Sequence, residues 1–531
     1  MPAPTFSLNG TDALVLVLSS SLIGCWWLDR HWHSRERRAL PPGPPGKFGG
    51  LLGNLGEMAG FEPWKRLAKW GQVYGSDLVY LRSFGTGVLV INSSSAVTEL
   101  FEKQSSFYSD RPTFTMAGEL IGLDQGLGFA HYGPHWRMMR KLAQRALGTE
   151  AIKKYHGVQE DVIALFLHSL VEQPDEFAKA LHLASGRIIQ SVTYGFAVNT
   201  PSELYLHDME KTMEMVTEYV RPGAFLVDIF PFLKHLPAWF PFNTIHKTAA
   251  AGRELLLRSS DRPFGHVKQL VKEGRAPPSY VADGLAGIYE GEQKGPEGER
   301  GVDVEYCVKW SANTMYGAGS ETTYGTVIEA LYLLALHPEI QARAYAEIEA
   351  ALGSSTSDQF TVLERLPSIA DRPALPYVNA LVKEVYRYNP VVPMGLPRRS
   401  EKDGWLGGKF IPKDTLIIPN VWALSRDRVS GIPPEQFEPA RFLEDHLPRP
   451  AVDPLTYTFG FGRRICPGRF LGDNSVFLFI SGLIATFEIS MPEGTDISFV
   501  PGLVSYPQPF KVNLVPRSEQ IITAVKTAAM V

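Results

Sequence analysis

The sequence predicts a mainly α fold with a smaller β part (α+β), carried behind a single N-terminal membrane span. Three observations predict it. Helical patterns dominate the body, notably Val304–Leu336, Ile340–Leu352 and Tyr377–Tyr388. Strand-like runs are few and short, at Val88–Ile91 and Thr415–Ile418. An uncharged, mostly apolar run of 16 residues, Ala13 to Leu28, precedes them all.

That apolar run comes first in the chain. At 1.5 Å per residue it reaches roughly 24 Å, slightly short of a bilayer core. Trp26, Trp27 and Trp32 can extend the match at the interface. Residues 29–38 then carry four arginines against two acids, which places that side in the cytosol. A cleaved signal peptide would need cations ahead of the apolar run, and residues 1–12 have none. The reading is therefore a lumenal tail at 1–12, an anchor at 13–28 and a hinge at 29–47. Pro41-Pro-Gly-Pro-Pro-Gly46 makes the hinge stiff, because consecutive prolines fix φ and remove donors.

From residue 48 to 517 nothing divides the chain: no repeat, no low-complexity tract, no convincing linker. The charged, glycine-rich stretch Gly291 to Gly301 reads as a surface loop. The long pattern Val304–Leu336 is apolar on most sides, as a helix crossing a large core must be, and His337-Pro338 supplies its stop. Residues 518–531 read as a C-terminal tail. Composition agrees with one large globular unit: 44% hydrophobic and 20% charged residues in 531. The net charge of −4 excludes the global basic field that holds nucleic acid. Three cysteines, Cys25, Cys307 and Cys466, are too few and odd in number for a disulfide framework, so the body belongs in a reducing compartment.

Cys466 stands apart from the other two. It lies in Phe459-Gly-Phe-Gly-Arg-Arg-Ile-Cys-Pro-Gly468, between glycines, after two arginines and before an apolar helical pattern. Glycines let backbone N–H groups approach a sulfur, and a helix N-terminus favours negative charge, so the surroundings suit a thiolate. A buried inert cysteine would need none of these neighbours.

The segment resembles the cytochrome P450 signature Phe-Gly-x-Gly-x-Arg-x-Cys-x-Gly at every fixed position: Phe459, Gly460, Gly462, Arg464, Cys466 and Gly468. The resemblance implies the P450 fold, haem b as cofactor and Cys466 as axial iron ligand, whose sulfur favours O–O cleavage. Further stretches carry the likeness. Glu384-Val-Tyr-Arg387 fits the family's Glu-x-x-Arg on one helix face, and the stretch Pro434 to Phe442 supplies Arg441. The resemblance makes Glu384, Arg387 and Arg441 a buried triad that fixes the cysteine loop. Tyr132 to Arg140 is similar to the family's helix in which Trp136 and Arg140 donate to a haem propionate. Pro397-Arg398 departs from the Pro-His found in many relatives, and Arg398 is expected to serve the propionate instead.

Gly317-Ala-Gly-Ser-Glu-Thr-Thr323 breaks a good helix former with two glycines. One reading is close helix packing. The other, implied by the resemblance, is a bulge that leaves room for haem and dioxygen, with Thr322 holding an ordered water and Glu321 relaying protons. That pair favours monooxygenation, RH + O2 + 2e⁻ + 2H⁺ giving ROH and water. The chain has no flavin or nicotinamide motif, so electrons would come from NADPH through NADPH–cytochrome P450 reductase, with cytochrome b5 as an optional second donor.

The regions that contact substrate in the family map onto Phe114–Leu123, Asn313–Tyr316, Val391–Leu396 and Leu503–Tyr506, and these are mostly apolar. Ala224 to Phe242 is rich in aromatics and corresponds to a membrane-dipping entry region; simple core packing is its rival reading. The whole is similar to fungal members that decorate secondary metabolites, the O-methylsterigmatocystin oxidoreductase-like group among them. The resemblance implies an apolar small-molecule substrate and an endoplasmic-reticulum protein whose catalytic domain faces the cytosol. Xenobiotic, fatty-acid or sterol oxidation and a non-catalytic haem-thiolate sensor stay open as alternatives. Finally, Arg137, Lys141 and Arg145 recur every four residues as a stripe, which is either a solvated face or, together with Arg463 and Arg469, a basic patch suited to an acidic reductase.

Overall fold

The computed structural model describes residues 39–45 and most of 53–530; outside the description lie 1–38, 46–52, 55–57, 84–85, 198–202, 241–243, 290–300, 356–360, 444–448 and the single positions 59, 222, 238, 427 and 531. The anchor at 13–28, most of the hinge and the loop at 291–300 therefore fall outside the described residues. Among the described residues no helix is long and apolar enough to cross a membrane.

Helices carry the fold. Those of ten or more residues are α1 (Pro63–Tyr74), α2 (Pro134–Leu147), α3 (His156–Glu172), α4 (Phe177–Tyr194), α5 (Glu203–Tyr219), α6 (Ile245–Lys272), α7 (Tyr280–Tyr289), α8 (Val304–Leu336), α9 (Pro338–Leu352), α10 (Pro376–Tyr388), α11 (Arg469–Thr486) and α12 (Glu519–Ala528). Proline opens α1, α2, α9 and α10, where its missing N–H would have had no helical partner anyway. α8 starts on Asp303, whose side chain accepts from the Tyr306 amide at 3.0 Å, and stops at Leu336 before His337-Pro338.

The β part is small. Strands β1 (Leu78–Ser83), β2 (Thr86–Ile91), β3 (Arg398–Arg399) and β4 (Leu416–Pro419) form one sheet in the order β1-β2-β4-β3. The two strand-like runs of the sequence are neighbours in it: β2 and β4 pair in parallel, with Val88 opposite Leu416. β3 adds antiparallel to β4, with Arg398 opposite Ile417. Alternation along β3 sends Arg398 inward and leaves Arg399 half-buried.

Two hydrophobic cores meet along α8. Its first half, Cys307 to Tyr316, packs with α2, α6 and α7; its second half, Tyr324 to Leu334, packs with α3, α4, α10 and α11. The stretch 317–323 lies at the seam. There α8 stays a regular α-helix, so the expected bulge is absent. The glycines answer to packing instead. A Cβ on Gly317 would lie 2.7 Å from the Met213 sulfur, and one on Gly319 would lie 2.9 Å from Ile189. α4 and α5 approach α8 closely because nothing projects there. The segment read as a C-terminal tail is largely the helix α12, which buries Ile521, Ala524 and Val525 in the second core.

Candidate active site

The cysteine loop is held by its own backbone. The Cys466 amide donates to the Phe459 carbonyl at 2.8 Å, and the Ile465 amide to Gly462 at 3.1 Å. Gly460 and Gly462 have φ of 79° and 51°, the left-handed region in which a side chain is strained. At Gly462 a Cβ would also sit 2.0 Å from the Phe101 carbonyl oxygen, so only glycine fits. Gly468 caps α11, and its N–H faces the Cys466 sulfur. Burial pushes the thiol up, and the Gly468 amide with Arg140 and Arg469 offsets only part of that rise.

Beneath the loop lies the buried ionic cluster. Glu384 accepts from Arg387 at 2.6 and 2.8 Å, from Arg441 at 3.0 Å and from the Glu438 amide at 2.7 Å. The remaining guanidinium donors reach the Ser425 carbonyl, the Ser430 hydroxyl and carbonyls of the 432–436 stretch, among them Pro434 at 2.8 Å and Gln436 at 2.7 Å. All three side chains are buried. Beside Glu384 on α10, Tyr386 packs edge-on against Phe459 at 5.5 Å, which couples this cluster to the start of the cysteine loop.

Cys466 opens on a cavity of about 310 Å³. Ala318, Gly319, Thr322 and Thr323 of α8 also line it, so helix and sulfur share one space. Other lining side chains are apolar, including Ile188, Ile189, Met315, Val391, Val392 and Leu396. Of the expected substrate regions, Asn313–Tyr316 contributes Thr314 and Met315, and Val391–Leu396 contributes four residues. Phe114–Leu123 and Leu503–Tyr506 do not reach the lining.

Four arginines edge the same cavity: Arg111, Arg140, Arg398 and Arg464. Their bonds run to backbone carbonyls. Arg111 reaches Gly128 at 2.8 Å and Pro397 at 2.7 Å, and Arg464 reaches Ser109 and Ala130, both at 2.8 Å. Arg398 reaches Phe461 at 2.6 Å and lies 3.9 Å above the Phe101 ring, and Arg140 donates to Ile465. Among the described residues none of the four forms an ion pair. Burial, with Arg111 and Arg398 close by, pushes Arg464 down to about 8; burial also lowers Arg111, to about 10, and Arg398. The Trp136 indole N–H, on the same rim, is buried and unpartnered. So many clustered cations beside an orphan donor call for an anion. The two propionates of a haem fit them, and the sulfur fits its iron. Arg398, expected from the sequence to serve a propionate, lines this cavity, and Arg111 joins it there although nothing local distinguishes it from any other arginine.

Thr322 and Glu321 part company. Thr322 faces the cavity, its hydroxyl donating to the Ala318 carbonyl at 2.8 Å. Glu321 turns away from it, accepting from the Tyr506 hydroxyl and lying 3.6 Å from Nε2 of His182.

A family model described as Cytochrome P450 matches residues 41–514. The chain is 35% identical to cytochrome P450 monooxygenase 208 of Postia placenta, an alignment covering 92% of this chain and 93% of that protein. It is 34% identical to cytochrome P450 monooxygenase claR of Ampulloclitocybe clavipes, covering 92% and 89% of the two. It is 36% identical to cytochrome P450 monooxygenase COX2 of Coprinopsis cinerea, covering 93% and 92%.

Proposed function

The chain belongs to the cytochrome P450 family and is a monooxygenase of it, and from that premise we propose that it inserts one atom of O2 into an apolar small molecule of fungal secondary metabolism. The observation that carries the proposal is the shared cavity. Cys466 and Thr322 open on it, apolar side chains line much of the rest, and four arginines edge it.

Haem, when bound, supplies dioxygen binding and the oxidising power. The protein's part is to bind, orient and move protons. Cys466 would ligate the iron, Arg111, Arg140, Arg398, Arg464 and Trp136 would hold the propionates, and Phe459, Gly462 and Gly468 shape the loop that presents the sulfur. Thr322, its hydroxyl proton engaged with Ala318, keeps its oxygen lone pairs to hold a water in the cavity, and that water hands on protons that Glu321 draws from outside. Ile188, Ile189, Met315, Val391, Val392 and Leu396 present an apolar face to the substrate and give a charged one no partner.

Electrons come from NADPH through a separate reductase, and the body sits on the cytosolic face of the endoplasmic reticulum. The aromatic segment supports membrane contact: Trp239 and Phe232 are 80% and 65% exposed, with Leu226, Phe230 and Phe240 exposed beside them. Core packing, the rival reading, would have hidden them. The same residues suit the uptake of a membrane-dissolved substrate.

Cys466→Ser tests the proposal. The variant should lose the absorption band of the reduced CO complex that depends on thiolate ligation. A variant that keeps the band removes Cys466 as ligand.

A further inference from the structure

Glu321 cannot reach bulk water through the cavity, because it does not line the cavity. Its side chain is only 13% exposed and sits against α4. His182 of α4 is the group beside it. The two imidazole nitrogens face two carboxylates: Nδ1 lies 2.8 Å from Glu210 on α5, and Nε2 lies 3.6 Å from Glu321 on α8. Tyr324 closes over the ring edge-on at 4.8 Å, and Glu210 is 33% exposed.

We propose that His182 is the positioning residue of the proton relay: it holds Glu321 on the side of α8 turned from the cavity, from which the carboxylate swings toward Thr322, and links it through Glu210 to solvent. This rests on the reading of Glu321 and Thr322 as the relay pair. A nearly buried carboxylate needs partners, and Glu321 has two, the Tyr506 hydroxyl and the imidazole. The distances differ in kind. The 2.8 Å contact to Glu210 is a hydrogen bond, whereas 3.6 Å to Glu321 is attraction without a fixed bond, which leaves that carboxylate oxygen able to swing.

Burial pulls the imidazole toward its neutral form, but the hydrogen bond to Glu210 and the negative charge of Glu321 outweigh burial and push His182 up to about 9. At neutral pH the ring is an imidazolium with a proton on each nitrogen. A proton passing from Nε2 to Glu321 leaves a neutral ring that keeps its Nδ1 proton. Rotation of the ring and uptake of one solvent proton past Glu210 restore the cation. Other charged groups nearby are His207 and Lys211, which act on Glu210, and Glu214, paired with Lys211 at 2.9 Å, which acts on the Tyr506 hydroxyl.

The test uses the haem-loaded full chain. Histidine NMR of the diamagnetic reduced CO complex should show His182 titrating well above an ordinary histidine, and Glu210→Gln should lower it by about one unit or more. With NADPH and the reductase, His182→Gln should raise the share of electrons released as hydrogen peroxide about tenfold, with the reduced-CO band intact. The pH dependence of stability follows from the raised value. The imidazolium stabilises the fold fully below the unfolded pKa, so His182→Gln should be less stable than wild type there. The difference should fade as pH rises through about 9. An ordinary titration overturns the proposal. So does an unchanged peroxide share in His182→Gln when Glu321→Gln raises it, an outcome that leaves the relay pair standing. If Glu321→Gln itself leaves the share unchanged, the pair falls and this inference with it.

Discussion

Replacing Glu384 with glutamine tests whether the buried cluster holds the cysteine loop. The carboxylate receives four donors: Arg387 at 2.6 and 2.8 Å, Arg441 at 3.0 Å and the Glu438 amide at 2.7 Å. Glutamine keeps the shape but sets an NH2 against guanidinium donors and leaves two buried cations without an anion. Breaking a buried pair from one side costs about 3–5 kcal/mol. Part is recovered here, because Arg387 and Arg441 keep carbonyl acceptors at 2.8 Å on Pro434 and 2.7 Å on Gln436. The lower end, about 3 kcal/mol, is therefore expected, roughly a hundredfold in the folded-to-unfolded ratio. The loss reaches the site through Tyr386 on the same helix, which packs on Phe459. Urea denaturation of the haem-loaded protein should show a lower midpoint, with the thiolate-dependent CO band lost before the far-UV helix signal. Adding Arg441→Met removes one orphan cation and should restore part of the stability. A Glu384→Gln protein with the wild-type midpoint and a full band would falsify the account.

Two other perturbations read different parts of the molecule. Thr322→Ala should keep haem and substrate binding while NADPH is spent on hydrogen peroxide, about a hundredfold loss of coupling to product; unchanged coupling removes the threonine from the relay. Arg137, Lys141 and Arg145 are exposed on α2, whose other face buries Trp136 and Arg140, and Arg463 is exposed on the cysteine loop. Arg137→Glu with Lys141→Glu should leave the CO spectrum intact and slow first-electron transfer from the reductase several-fold at low salt. The deficit should shrink as ionic strength rises, because steering by exposed charge is screened. An unchanged rate at low salt leaves the stripe as solvated surface.

What the sequence could express about the site was whatever is local. The cysteine loop is legible because its constraints lie within ten residues: Gly462 is required by its own φ and by the carbonyl of Phe101 beneath it. Glu384 and Arg387 are legible for the same reason, one helical turn apart. Convergent features are not. Arg140, Arg398 and Arg464 are picked out by the motifs they stand in, but Arg111, from a loop, looks alone like a solvated cation, and nothing in the sequence brings the four into one wall. Only burial in one wall makes them a site. The stretch 317–323 misled in the opposite sense, since a functional motif suggested a bulge where packing against Met213 and Ile189 had the stronger claim on the glycines.

Those two lessons combine at Glu321. Because Gly317 and Gly319 bring α5 and α4 close to α8, side chains from three helices meet beside Glu321. The regular helix then does the sorting. Successive residues lie about 100° apart around its axis, so Thr322 can face the cavity while Glu321 faces His182. A bulge would disturb that separation. Straight packing keeps Thr322 on the cavity side of α8 and Glu321 with His182 on the other, so the proposed relay requires the Glu321 carboxylate to swing between them.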